Sequence, residues 1–109
     1  MVACKYLEKH GFFIVERNYL KKYGEIDIVG TKEGIVHFFE VKSVTARSEK
    51  GHRPEENVHD LKVRRLKRVI QTYLTERRYG LDVDFMFHIL AVRKDPVRGT
   101  FHVRMIENV

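Results

Sequence analysis

Apolar residues recur with two different periods along this chain, and the switches between the periods outline its elements. Val2, Ala3, Tyr6, Leu7 and His10 fall on one face at helical spacing, which predicts a short helix over residues 1–10, stopped by Gly11. Residues 12–20 are rich in aromatic and β-branched side chains, as in a strand. Residues 25–31 and 35–44 read as two more strands, with Gly34 marking the turn between them. Residues 45–56 are polar, contain Gly51 and Pro54, and read as a mobile loop. Asn57 is the candidate N-cap of a second helix running to about residue 78 and ended by Gly80. Its apolar stripe is Val58, Leu66, Val69, Ile70, Tyr73 and Leu74. Strands over 83–92 and 100–106 follow, separated by a turn around Pro96 and Gly99. The order αβββαββ predicts an α/β fold in which a mixed sheet is flanked by helices.

Size and composition narrow this picture. A chain of 109 residues is about one domain, so residues 1–109 are read as a single unit. At 43% hydrophobic residues it has enough apolar surface for a packed core. No apolar run reaches 18 residues, which excludes a transmembrane helix, and the N-terminus lacks the charge-then-apolar pattern of a secretory signal. Cys4 is the single cysteine, so no internal disulfide forms and a reducing cytoplasm is the expected location. The charge balance is basic, 21 Lys and Arg against 15 Asp and Glu, net +6. Such a surface draws polyanions, of which nucleic acid is the commonest in a cell.

Two stretches carry candidate chemistry: Gly24-Glu25-Ile26-Asp27-Ile28-Val29 and Phe38-Phe39-Glu40-Val41-Lys42. Side chains alternate along a strand, so Glu25 and Asp27 are expected on one face, and Glu40 and Lys42 likewise. In an antiparallel hairpin, directly opposed residues point to the same side. A loop of residues 32–35 pairs 31 with 36, and hence 27 with 40 and 25 with 42. A two-residue loop also keeps the shared face, with Asp27 diagonal to Glu40. Either register gathers two carboxylates and one ammonium, a grouping suited to phosphodiester hydrolysis. Hard oxygen ligands suit Mg²⁺ or Mn²⁺, which polarise a phosphate and acidify water. Lys42 can orient the attacking water or stabilise charge developing on the phosphate.

The plain alternative is that Glu-x-Lys arises by chance in a chain that is 33% charged, as an exposed cross-strand pair of little energetic weight. Phe38, Phe39 and Val41 count against it, because they mark a strand covered on both faces, where charges are costly unless paired or metal-bound. Elsewhere the bland reading is preferred. The six histidines are scattered and Cys4 stands alone, so no zinc site is expected. There is no phosphate-binding Gly-rich loop and no serine-hydrolase elbow. Lys62 lies beside the apolar stripe of the second helix, where it either snorkels over the core or points toward a phosphate. Arg64, Lys67, Arg68 and Arg78 occupy the opposite, solvated face. Arg47, Lys50 and Arg53 make the loop before that helix basic, able to close over a bound strand.

The chain resembles the bacterial YraN-type predicted endonucleases, within the PD-(D/E)xK, or restriction-endonuclease-like, superfamily that includes archaeal Holliday junction resolvases. The resemblance covers nearly the whole chain. It rests on Ala3-Cys4-Lys5-Tyr6-Leu7-Glu8, Gly11-Phe12, Arg17-Asn18-Tyr19, Gly24-Glu25-Ile26-Asp27-Ile28-Val29 and Phe39-Glu40-Val41-Lys42-Ser43, then Pro54-Glu55-Glu56-Asn57-Val58, Lys62, Arg65-Leu66 and Ala91-Val92. It implies a restriction-endonuclease-like core with Asp27, Glu40 and Lys42 as catalytic positions. In two places the chain departs from the family pattern. A Gly-Glu pair usually opens the first helix, and here that glutamate would fall before Met1, which implies weak Mg²⁺ binding and slow cleavage. In the later strand the family often has Phe-Asp, whereas this chain reads Phe87-His88.

The combined expectation is a metal-dependent endonuclease acting on DNA, branched or structured DNA included. Asp27 and Glu40 are the expected metal ligands, Lys42 assists the attacking water, and Glu25 and Lys62 are accessory. Arg47, Lys50, Arg53, Lys62 and Arg65 are the expected nucleic-acid contacts. A homodimer is one assembly left open. The rival readings are a nucleic-acid-binding domain of the same fold with weak or no catalysis, and a structural subunit of a larger assembly.

Overall fold

The computed structural model describes residues 1–44, 60–80 and 82–107. They form α1 (Val2–Lys9), β1 (Phe13–Lys21), β2 (Gly24–Lys32), β3 (Ile35–Val44), α2 (Asp60–Glu76), β4 (Phe85–Lys94) and β5 (Phe101–Ile106). The expected loop over 45–56 and the N-cap Asn57 lie outside the described residues. The five strands make one sheet in the order β1-β2-β3-β4-β5. β3 and β4 run parallel, and every other neighbouring pair is antiparallel. The fold is therefore α/β, with a mixed sheet flanked by helices.

The sheet has a core on each face. On one side α2 packs Leu66, Val69, Ile70, Tyr73 and Leu74 against Tyr19, Ile26, Val29, Phe38 and Ile89. On the other, α1 packs Ala3, Cys4 and Leu7 with Phe12, Ile28, Phe39 and Leu90. Phe38 and Phe39, adjacent in β3, are both fully buried because they enter opposite cores. This is the two-sided cover expected of a central strand.

Both described helices end in a Schellman motif. For α1, Phe12 N–H reaches back to Leu7 O and Gly11 N–H to Glu8 O, with Gly11 at φ 90°. For α2, Tyr79 N–H reaches Leu74 O and Arg78 N–H reaches Thr75 O. The left-handed residue is Arg78, at φ 59°, rather than the expected Gly80. The hydrophobic contact that accompanies such a motif, Tyr79 stacked on Tyr73, holds the chain in that conformation despite its Cβ.

The α2 end is also tied to β1. Tyr19 Oη donates to Glu76, whose other oxygen accepts from Lys21 Nζ at 3.0 Å. Arg77 donates two hydrogen bonds to Glu16, Nε at 3.0 Å and Nη2 at 2.7 Å. The turn from β2 to β3 is Glu33-Gly34, both at positive φ, as in the type I′ turns of two-residue hairpins.

Candidate active site

The β2–β3 turn sets the register on which the site depends. Although the turn has two residues, Thr31 faces Val36, and the ladder continues through Gly30–His37 and Val29–Phe38 to Ile28–Phe39. One more step would set Asp27 against Glu40, but the paired ladder stops there. Asp27 Oδ2 instead accepts the N–H of Val41 at 2.7 Å. The carboxylate thus takes the place of a main-chain acceptor and meets the amide lying between Glu40 and Lys42.

Strand β2 also loses its alternation at this point. Ile26 packs under α2, yet Ile28, two residues on, packs under α1. In a regular strand these two would share a face. On β1 the residue in register with Asp27 is Asn18, which has φ 55°, and the ladder skips this pair between Arg17–Ile28 and Tyr19–Ile26.

Strict alternation, on which the expected shared face of Glu25 and Asp27 rests, therefore does not carry across this point. Gly24 and Ile26 both turn toward Val69 of α2, so Glu25 between them turns the other way, and it is exposed. Asp27 lies at the break itself: counted back from Val29 it falls on the α2 side, counted on from Ile26 on the α1 side. Glu40 and Lys42 belong on the α2 side, two and four residues on from Phe38.

Asp27, Glu40 and Lys42 are each half-buried. Lys42 Nζ lies 3.4 Å from Glu40 Oε1, and Glu40 Oε2 is shielded from solvent. This pair is drier than a surface salt bridge, so water screens its attraction less. Asp27 and Glu40 are hard oxygen donors. Among the described residues no group of three or more His, Cys, Asp or Glu is arranged to hold a metal. Two carboxylates nevertheless fit Mg²⁺, which keeps several waters and takes one or two carboxylates.

The other expected residues are placed less fully. Lys62 lies in α2, with its side chain outside the described set. Arg65 is exposed on α2, with its carbonyl oxygen 3.8 Å from where a Cβ on Gly24 would stand. The N-terminal half of α2 therefore lies at the same end of the sheet as Lys42. Arg47, Lys50 and Arg53 lie outside the described residues.

Sequence reasoning missed the joining of two scattered histidines. His37 on β3 and His88 on β4 are buried, and His37 Nδ1 lies 2.8 Å from His88 Nε2. Phe12 packs edge-on to His37, and Phe39 lies against both rings. Burial pushes His88 down to about 4, with His37 beside it adding to the effect. Burial, and then the charge of Lys32, lowers His37. The two residues are 51 apart in sequence, and only strand pairing brings them together. His88 lies on the α1 side with Phe39, across the sheet from Glu40 and Lys42.

Similarity to known proteins covers most of the chain. The model of the family described as "Uncharacterised protein family UPF0102" matches residues 1–94. A UPF0102 protein of Campylobacter lari is 32% identical over 108 residues, 99% of this chain and 86% of that protein. One from Campylobacter fetus subsp. fetus is 33% identical over 97 residues, 89% of this chain and 81% of its own. One from Campylobacter hominis is 31% identical over 96 residues, 88% and 80% respectively. These names and the family description state no activity.

Proposed function

The chain belongs to the uncharacterised protein family UPF0102, the YraN family it resembles in sequence, and from that premise we propose that it is a metal-dependent endonuclease hydrolysing phosphodiester bonds in DNA. One observation carries the reading: Asp27 Oδ2 accepts the N–H of Val41, the residue between Glu40 and Lys42. That hydrogen bond ties the carboxylate of β2 to the main chain of β3 between the other two residues of the motif.

Asp27 and Glu40 would hold the Mg²⁺ or Mn²⁺. When bound, the cation supplies positive charge beside the scissile phosphate and acidifies water. Lys42 Nζ, kept close by Glu40, donates to the attacking water or to a phosphate oxygen as negative charge grows there. Phe38, fully buried two residues before Glu40 on the same face of β3, marks where the dry core begins beside the site. Glu25, exposed and turned to the other face, is left without a direct part.

The test is a cleavage screen of linear and branched DNA with Mg²⁺, Mn²⁺ or chelator, comparing the wild type with Lys42→Met. We expect cleavage that needs metal and is lost, by at least a hundredfold, in Lys42→Met. Equal cleavage by both proteins would defeat the assignment. A second reading is a nucleic-acid-binding domain of the same fold with weak catalysis. What favours it is that the described donor set stops at two carboxylates. Tight DNA binding without cleavage in any metal would decide for it.

A further inference from the structure

Positive charge is distributed unevenly along α2. Around its C-terminal end Lys21 is paired with Glu76 and Arg77 with Glu16, while Arg78 stays exposed. In its N-terminal half Arg64, Arg65, Lys67 and Arg68 are exposed, and none forms an ion pair with a carboxylate among the described residues.

Helical spacing sorts three of these. Arg65, Arg68, Thr72 and Glu76 recur at intervals of three and four, so they form one flank. That flank faces the β1–β2 turn, because Thr72 bonds Tyr23 and Glu76 bonds Tyr19 and Lys21. Lys67 and Gln71 belong to the other flank, in the groove between α2 and β4.

We propose that Lys22, Arg65 and Arg68 form a phosphate track that receives a nucleic-acid backbone beside the Asp27–Glu40–Lys42 site, an inference that rests on the nuclease reading above. Arg68 is organised for this in advance. Its guanidinium lies 3.9 Å from the centroid of the Tyr23 ring. Tyr23 Oη is 2.6 Å from Thr72 Oγ1, and Thr72 Oγ1 donates to Arg68 O at 2.9 Å. Stacking occupies the flat face of a guanidinium and leaves its in-plane N–H fork for two phosphate oxygens. Holding the side chain before binding lowers the entropy lost on contact.

Position supports the same conclusion. Lys22 is exposed and neighbours Tyr23 in the two-residue turn between the paired Lys21 and Gly24. Gly24 packs against Arg65 O and Val69. Asp27 follows three residues later, about 10 Å along an extended strand, which matches the rise of roughly three nucleotides. A backbone lying on the track would therefore reach the carboxylates within a few phosphates.

The experiment measures binding of a fluorescein-labelled DNA duplex by anisotropy across a salt series. Chelator is present, so no cleavage intervenes. The double variant Arg65→Ala/Arg68→Ala should lose at least tenfold in affinity at low salt. Its slope of log affinity against log salt should shrink by roughly 1.8, about 0.9 for each phosphate contact. Arg68→Lys keeps the charge but not the fork, and should still lose severalfold. Lys67→Ala, on the other flank, should change affinity less than twofold. The track is overturned if wild type does not bind, if the double variant binds like wild type, or if Lys67→Ala costs as much as Arg68→Lys. Cleavage in Mg²⁺ is scored separately. Cleavage with binding indifferent to Arg65 and Arg68 removes the track and leaves the nuclease. Track-dependent binding without cleavage does the reverse.

Discussion

A carboxylate that accepts a main-chain N–H is held by geometry as well as by charge, and at Asp27 the two can be separated. Asp27→Ala leaves the half-buried Val41 N–H without its acceptor and should cost about 1–2 kcal/mol in urea unfolding. Asp27→Asn keeps an oxygen in place and should cost less, yet lose cleavage as fully as the alanine variant. An active asparagine variant would leave Asp27 a structural role only. The His37–His88 contact is satisfied with both rings neutral, one nitrogen carrying a proton and the other a lone pair. Both groups titrate below the ordinary value near 6.5 in the folded chain, His88 at about 4. Below pH 6.5 the unfolded chain therefore takes up protons that the folded pair refuses. Their contribution to stability is complete above pH 6.5 and is lost as pH falls toward 4. Urea midpoints measured at pH 7 and pH 5 should show this fall, and His37→Phe/His88→Phe should reduce it. An equal fall in the double variant would assign it to other groups.

Strand β2 shows how an element is shaped by what lies over it. A Cβ on Gly24 would stand 2.7 Å from Val69 Cγ2, and Val69 is β-branched, fully buried and unable to swing aside. Gly24→Ala should therefore push α2 away from the sheet and cost about 1–3 kcal/mol, as overpacking does. Val69→Ala in the same chain should recover part of that loss. If Gly24→Ala melts like wild type, the helix is not seated on the strand as described. The same seating holds Arg65 over the start of β2, so catalytic strand and basic helix are joined by one close contact.

At the scale of the whole molecule, the net charge of +6 matters through its placement. Three contacts at Lys22, Arg65 and Arg68 imply a salt slope near 2.7, about 0.9 each. Raising salt from 50 to 200 mM should then weaken DNA binding roughly 40-fold. Affinity that stays flat over this range would argue against a nucleic-acid partner.

Much of this molecule could be read from local pattern. β3 begins and ends where the sequence places it, and five other elements lie within a residue or two of their expected bounds. Periodicity, turn glycines and helix-stop signals act over a few residues, so they are visible in one segment at a time. Of the two hairpin registers left open, the one pairing 31 with 36 formed, but through the two-residue turn Glu33-Gly34 rather than the longer loop expected to set it. Gly80 was the wrong stop for α2 because stacking of Tyr79 on Tyr73 let Arg78 take the left-handed position. The relation of Glu25 to Asp27 is not legible from alternation, which assumes an unbroken ladder, because Asp27 interrupts it with a side-chain bond to Val41. The His37–His88 pair and the Tyr23–Arg68 stack join residues 51 and 45 positions apart. Such contacts arise when strands pair and a helix settles on a sheet. Their signal lies in the packing of distant segments, which no local period records.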